Sequence, residues 1–325
     1  MPYSINIGTI TDKNYTQHTG VMLFSILKNC SAPEKIHFYI MDGGIGEEGK
    51  KLLKEVCEPF NAKISFPKPD LRKFNGLKIG SHLTPIIYAK LLFPSVVKDA
   101  KKIIVMDSDI IVEGDIKELF DTDLRGNVLG AVPDGAEELQ IYGKEILGLT
   151  KDQQYFNSGV MLVDSEKWNK FKVLEKVIDY IYKNFERIYV QDQDGLNAVL
   201  RDYWLPLDYK WNVIHLFYYN SVGLKRMIGF KRARDIAKNP KIIHFTTKPW
   251  IFEKVHPLRK RYWYYLRQTS WNNFQYPNKN MKTLILKISR FLIRPLPWEF
   301  KIFLRNKFKS NTSEKNKDYY IVDIK

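Results

Sequence analysis

The chain has 325 residues, 44% of them hydrophobic and 27% charged, with a formal net charge of +16 at pH 7. This composition excludes a disordered chain, and the lack of any run of about 18 uncharged apolar residues argues against a spanning helix. So positive a chain is expected to meet an acidic partner, which could be nucleic acid, an anionic membrane or a nucleotide-linked substrate.

In chain order, the first strand is expected over Tyr3 to Ile10 and a helix over Asn14 to Cys30. A second strand covers Ile36 to Met41, a helix Glu47 to Phe60 and a third strand Lys63 to Phe66. Thr84 to Phe93 reads as a helix and Lys102 to Met106 as a buried strand. Alternation of this kind argues for a mostly parallel sheet covered on both faces. Further on, strands are expected over Asn127 to Val132, Gly159 to Asp164 and Lys241 to Phe245. Helices are expected over Glu166 to Phe185 and Gln191 to Leu200, whereas 203–240 shows no clear period. Cys30 and Cys57 lack metal-type spacing and read as reduced core residues of a cytosolic protein. The first residues carry no secretory-signal pattern.

The strand ending at Met106 runs into Asp107-Ser108-Asp109. Ligands of open α/β sheets collect beyond strand carboxyl ends. Two adjacent carboxylates repel, and a divalent cation removes that repulsion. The chain is expected to turn after Met106 for both to meet one ion. Two further triplets share the form, Asp121-Thr122-Asp123 and Asp192-Gln193-Asp194, but neither follows a continuous apolar strand. A loop or helix cap is the simpler reading of any such triplet.

Six motifs in series carry a resemblance. They are Thr11-Asp12-Lys13-Asn14-Tyr15, Tyr88-Ala89-Lys90-Leu91, Val105 to Asp109, Tyr155 to Val160, Gln191 to Asp194, and His244 with Lys248-Pro249-Trp250. Over roughly residues 3–250 the chain resembles the family 8 glycosyltransferases, retaining enzymes with a GT-A fold. It is most similar to bacterial members acting on lipopolysaccharide or lipooligosaccharide. The resemblance implies an α/β, Rossmann-like fold with a mixed sheet flanked by helices, and a small basic C-terminal helical region. A catalytic domain would span 1–265 and a membrane-association region 266–325.

By the same resemblance Asp107, Asp109 and His244 bind the metal, Mn²⁺ or else Mg²⁺, which suits oxygen ligands plus one imidazole. Thr11, Asp12, Asn14 and Tyr15 surround the uridine, although Asp12 is also a good helix cap. Lys90, Ser108, Asn157, Ser158 and Lys248 join the donor site. Lys90 stands where close members carry Arg, and it loses the planar fork. The family's Gly between the His and the Lys is missing from Phe245-Thr246-Thr247. Asp192, Gln193 and Asp194 are the catalytic candidates around the sugar; a helix start rich in acid groups is the plain alternative. An amide is a poor nucleophile, so the leaving phosphate guiding the acceptor on one face is preferred to a covalent intermediate. His82 and Asp134 align with acceptor-side positions.

Met281 to Ser310 sets eight cations against Glu299 alone, with apolar residues at near-helical spacing. This fits an amphipathic helix on an anionic bilayer, or one packed on the domain with a solvated basic face. The implied protein is a UDP-hexose-dependent transferase, galactose or glucose being the sugar. It would sit on the inner face of the cytoplasmic membrane and act on a core glycan or another surface or protein-linked glycan. Nucleic-acid binding is disfavoured, because the cations concentrate in the tail and no such module is present. A non-catalytic adaptor is disfavoured by the presence of both Asp107 and Asp109.

Overall fold

A computed structural model describes residues 5–77, 85–97, 100–218, 221–250 and 256–274. The chain opens with β1 (Ile5–Thr11), α1 (Thr16–Asn29), β2 (Ile36–Asp42), α2 (Glu47–Cys57) and β3 (Lys63–Ser65). A 3₁₀ helix over Pro85–Leu92 and α3 (Phe93–Val96) lead to β4 (Lys102–Met106), β5 (Ile110–Val112) and α4 (Ile116–Phe120). Next come β6 (Leu129–Pro133), α5 (Glu137–Glu145), β7 (Phe156–Asp164), α6 (Ser165–Lys170), α7 (Val173–Lys183) and α8 (Gln191–Leu200). The described part closes with β8 (Trp204–Pro206), α9 (Val222–Ile228), α10 (Phe230–Lys238), β9 (Ile242–His244) and α11 (Arg259–Leu266).

Seven strands form one sheet in the order β3-β2-β1-β4-β7-β6-β8. β7 runs antiparallel to β4 and β6, and every other pairing is parallel. The sheet is therefore mixed, with the leading strands parallel as expected. Both faces of its centre are dry. Ile104 and Met106 of β4 join the apolar layer of α1 and α2, while Ile103 and Val105 join the layer of α7 and α8. That two-sided burial is why β4 reads as an unbroken apolar run rather than an alternating one. A second, two-stranded sheet pairs β5 with β9 antiparallel, Ile110 lying opposite His244.

Several elements differ from expectation for identifiable reasons. The helix expected over Glu166 to Phe185 is two helices, broken at Lys172, whose φ of 54° is left-handed. A continuous helix in phase with the buried Trp168 would have turned Lys172, Glu175 and Asp179 inward. The break instead buries Val173, Leu174, Val177 and Ile181. The segment before Phe93 is 3₁₀ rather than α from Pro85 onward. β7 begins at Phe156 rather than Gly159, which places Asn157 and Ser158 inside a strand. The stretch without period holds β8, α9 and α10.

One compact unit comprises Met1–Thr246 and Lys260–Asn273, and Thr247–Arg259 with Phe274–Lys325 forms a second. Within the first unit α11 packs on α1. The Tyr262 hydroxyl meets His18 Nδ1 at 2.6 Å, and the Tyr262 ring lies edge-on to Phe245 at 5.8 Å. Among the described residues no helix is long and apolar enough to cross a membrane. The basic stretch Met281 to Ser310 lies outside the described residues.

Candidate active site

The parallel strands β1, β4, β6 and β8 all end at one sheet edge, where antiparallel β7 begins. At this edge the chain leaves β4 for β5, crossing from one sheet to the other through Asp107, Ser108 and Asp109. The Asp107 amide donates to the Gly159 carbonyl at 2.9 Å, and the Phe245 amide to the Asp109 carbonyl at 2.8 Å. These two bonds fasten the turn between β7 and β9. His244 Nε2 lies 3.3 Å from Asp109 Oδ1 and 3.8 Å from Asp107 Oδ2. Ligand atoms of the three residues all fall within 4.8 Å of one another.

That spacing fits one ion. An octahedral cation with ligands at about 2.1 Å sets adjacent donor atoms about 3 Å apart and opposite ones about 4.2 Å apart. Burial holds the His244 pKa below the ordinary histidine value, outweighing the pull of Asp107 in the other direction. Neutral imidazole is the form that ligates a metal. Ser108 sits half-buried between the two carboxylates.

Lys90 comes from the 3₁₀ helix and reaches across to Asp107 Oδ1 at 2.8 Å and Asp192 Oδ2 at 3.3 Å. Burial alone would lower its pKa, but the Asp107 and Asp192 carboxylates together hold it above the usual lysine range. Asp107 thus gives one oxygen to Lys90 and turns the other toward His244. Asp192 also accepts from the Ser158 hydroxyl at 2.9 Å. Gln193 Oε1 accepts from the Ser158 amide at 2.8 Å, and its Nε2 lies 3.4 Å from Asp134 Oδ2.

Asp134 accepts at Oδ2 from Asn157 Nδ2 at 2.8 Å, and burial pushes its carboxyl pKa up. Asn157 Oδ1 accepts from Asn212 Nδ2 at 2.8 Å, and Asn212 Oδ1 lies 3.0 Å from His244 Nδ1. Asn212 follows a short 3₁₀ turn in the stretch without period, and nothing in the sequence singles it out. Gly159 is equally constrained. A Cβ there would come within 2.4 Å of His244 Cε1 and 2.9 Å of Asn157 Oδ1.

The loop after β1 leaves the same edge, since β1 and β4 are parallel neighbours. Asp12 Oδ1 accepts from the amides of Asn14 and Tyr15 at 2.9 and 3.0 Å, so it closes the turn that leads into α1, whose N-cap is Tyr15. Thr11 is anchored through its carbonyl by the Gly43 amide at 2.9 Å.

Asp194 is placed differently from its two neighbours. Its carboxylate accepts from Tyr155 and Tyr142 hydroxyls at 2.6 and 2.8 Å and from the Tyr189 and Val190 amides at 2.6 and 2.8 Å. Four donors occupy it as an anchor for the start of α8. Lys248 belongs to the second unit, where its ammonium lies 6.0 Å over the Trp250 ring. His82 lies outside the described residues.

The model of the family "Glycosyl transferase family 8" matches residues 6–254. The chain belongs to glycosyltransferase family 8. It is accordingly an enzyme, a hexosyltransferase with a GT-A fold. This transferase is 33% identical over 282 residues to general stress protein A of Bacillus subtilis, covering 85% of the chain and 98% of that protein. It is 26% identical to the lipopolysaccharide 1,2-glucosyltransferase of Escherichia coli, covering 83% and 79%. The galactosyltransferase LgtC, crystallised with donor and acceptor sugar analogues, superposes with a TM-score of 0.72 over 82% of the chain and 96% of LgtC, at 23% identity. In this family 8 transferase α11 lies beyond the matched residues, yet Tyr262 ties it to α1 and to the residue after His244.

Proposed function

We propose that this transferase moves galactose or glucose from a UDP-hexose to a glycan, with a divalent cation, Mn²⁺ or else Mg²⁺, held by Asp107, Asp109 and His244. The observation that carries the reading is the convergence of these three ligands from two sheets beside Lys90. A bound cation supplies Lewis-acid neutralisation of the leaving diphosphate. The Thr11 to Tyr15 loop, with Asp12 and Asn14, receives the uridine, Tyr15 offering a ring for the base to stack on. Ser108 and Lys90 complete the diphosphate site. Lys90 orients Asp107 and Asp192, and with Asn157 and Ser158 it lines the sugar pocket.

Transfer breaks the bond from the sugar C1 to the diphosphate oxygen and forms a bond from C1 to the acceptor oxygen on the same face. The acceptor proton passes to the departing diphosphate. Gln193 suits this role as an orienting amide, because its oxygen is already engaged by the Ser158 amide. Asp194 supports it from behind. Asp134 serves the acceptor side. Trapping a sugar–enzyme adduct on the wild-type protein would overturn the direct route.

The acceptor is a lipopolysaccharide or lipooligosaccharide core, as the name of the E. coli relative suggests. The more similar B. subtilis relative bears no such name, which favours another surface or protein-linked glycan as the second reading. The basic stretch within 266–325 would hold the enzyme on an anionic membrane at its cytoplasmic face; sedimentation with anionic vesicles tests this part.

The test of the whole is UDP release across a panel of UDP-sugars. Release is expected with UDP-galactose or UDP-glucose and Mn²⁺, and is expected to vanish in Asp109→Asn. Turnover that persists in excess chelator would end the metal assignment.

A further inference from the structure

We infer that Asn157 and Asn212 form an amide ladder that fixes the tautomer of His244, so that the sugar pocket and the metal ligand act as one hydrogen-bonded unit. The inference rests on the proposed cation at Asp107, Asp109 and His244.

The ladder starts at Gly159. Its backbone N–H cannot reverse its polarity, and it donates to Asn157 Oδ1 at 2.9 Å. The Asn157 oxygen is thereby turned to Gly159 and its nitrogen to Asp134 Oδ2, 2.8 Å away. Asp134 is held in place by the Ala136 amide, which donates to Oδ1 at 2.9 Å. With its oxygen placed, Asn157 can meet Asn212 only through a donor, and Asn212 Nδ2 supplies it at 2.8 Å. The Asn212 oxygen must then face His244, and it lies 3.0 Å from Nδ1.

An amide oxygen only accepts, so Nδ1 carries the proton. The Nε2 lone pair is left facing Asp109 and Asp107, at 3.3 and 3.8 Å. Reversing any rung would put the proton on Nε2 and aim it at the carboxylates, which removes the ligand.

The rungs hold because water cannot relieve a mismatch. Asn212 and Asp134 are each 2% exposed and His244 5%. An unpaired donor or acceptor in such a setting keeps its full desolvation penalty. Gln193 shares Asp134 Oδ2 with Asn157, so the catalytic amide stands at the far end of the same ladder. Asn157 therefore acts on metal affinity as a positioning residue, in addition to lining the pocket.

The full-length protein has six histidines, so ¹⁵N-histidine labelling with long-range ¹H–¹⁵N correlation reads each tautomer. The His244 signal is the one lost in His244→Gln. Metal-free wild type is expected to show the Nδ1–H form. Asn212→Ala is expected to show both forms and to bind Mn²⁺, followed by its EPR signal, about 10–100-fold more weakly. Asn157→Ala should shift in the same direction. Asn212→Leu keeps the volume and loses both hydrogen bonds, so it should behave like Asn212→Ala, which separates the lost hydrogen bonds from the lost volume.

An Nε2–H form in wild type, or wild-type Mn²⁺ affinity and an unchanged tautomer in Asn157→Ala, overturns the inference. A wild type that binds no Mn²⁺ yet shows the Asn157-dependent tautomer would sink the metal assignment and leave the ladder standing.

Discussion

Gly159→Ala is the most economical test of the site, because one methyl group is added and the backbone needs no unusual conformation. The new Cβ would sit 2.4 Å from His244 Cε1, 2.8 Å from Nδ1 and 2.9 Å from Asn157 Oδ1, where ordinary contact begins at 3.4 Å. The imidazole must recede by about 1 Å, whereas metal–ligand distances tolerate only about 0.2 Å. Overpacking of this kind costs about 1–3 kcal/mol of stability, which leaves the fold intact in a chain of this size. Metal affinity should fall by at least the 10–100-fold that accompanies disturbance of a ligand's support. Mn²⁺ titration and urea denaturation on the same preparation separate the two. Wild-type Mn²⁺ affinity in Gly159→Ala, with the folded state confirmed, would refute the close approach of His244 to β7 on which the site depends.

Lys90→Met should destabilise the protein by about 3–5 kcal/mol, because it leaves the Asp107 and Asp192 carboxylates facing each other without their shared cation. Lys90→Arg should recover most of that loss in the same denaturation measurement. Tyr262→Phe removes the 2.6 Å partner of the buried His18, at a cost of about 1–3 kcal/mol, and should leave Mn²⁺ affinity unchanged. Asp42 gives a pH dependence. Burial would raise its carboxyl pKa, but the Ile45 amide, Lys50 and the Gly44 amide outweigh it and hold the group at about 2. A depressed folded-state value stabilises above the unfolded value of 3.8 and loses that stabilisation as pH falls toward 2. Asp42→Asn should therefore flatten the acid limb of the stability curve between those values.

The parts of the fold legible in the sequence are those set by local pattern. β4 and α8 fall where expected, since one is an apolar run and the other begins at an acidic helix start. The cluster of Asp107, Asp109 and His244 is legible only through family resemblance, because His244 is far along the chain from the aspartates and joins them through the pairing of β5 with β9. Asn212 is invisible for a related reason. Its role depends on His244 and Asn157, 32 and 55 residues away. Gly159 lies inside the Tyr155 to Val160 motif, yet its need for space comes from His244 on a different sheet.

The three Asp-x-Asp triplets show why spacing alone could not choose the ligands. In Asp121-Thr122-Asp123 the first side chain pairs with Lys117 and the second caps the Arg125 amide, so the pair serves a turn. In Asp192-Gln193-Asp194 the residues lie on α8, where two positions correspond to about 200° of rotation. Asp192 accordingly meets Lys90 and Ser158, while Asp194 is turned away to two tyrosine hydroxyls. A strand would put both on one face, but with their Cα atoms about 7 Å apart along it. Asp107 and Asp109 escape both geometries because the chain is neither helix nor strand there. It is changing sheets, with Asp107 still bonded to β7 and Asp109 already bonded to the residue after β9. The irregular backbone between two short strands is thus the feature that brings the two carboxylates and His244 within 4.8 Å of one another, and straightening it would lose that cluster with every residue of it retained.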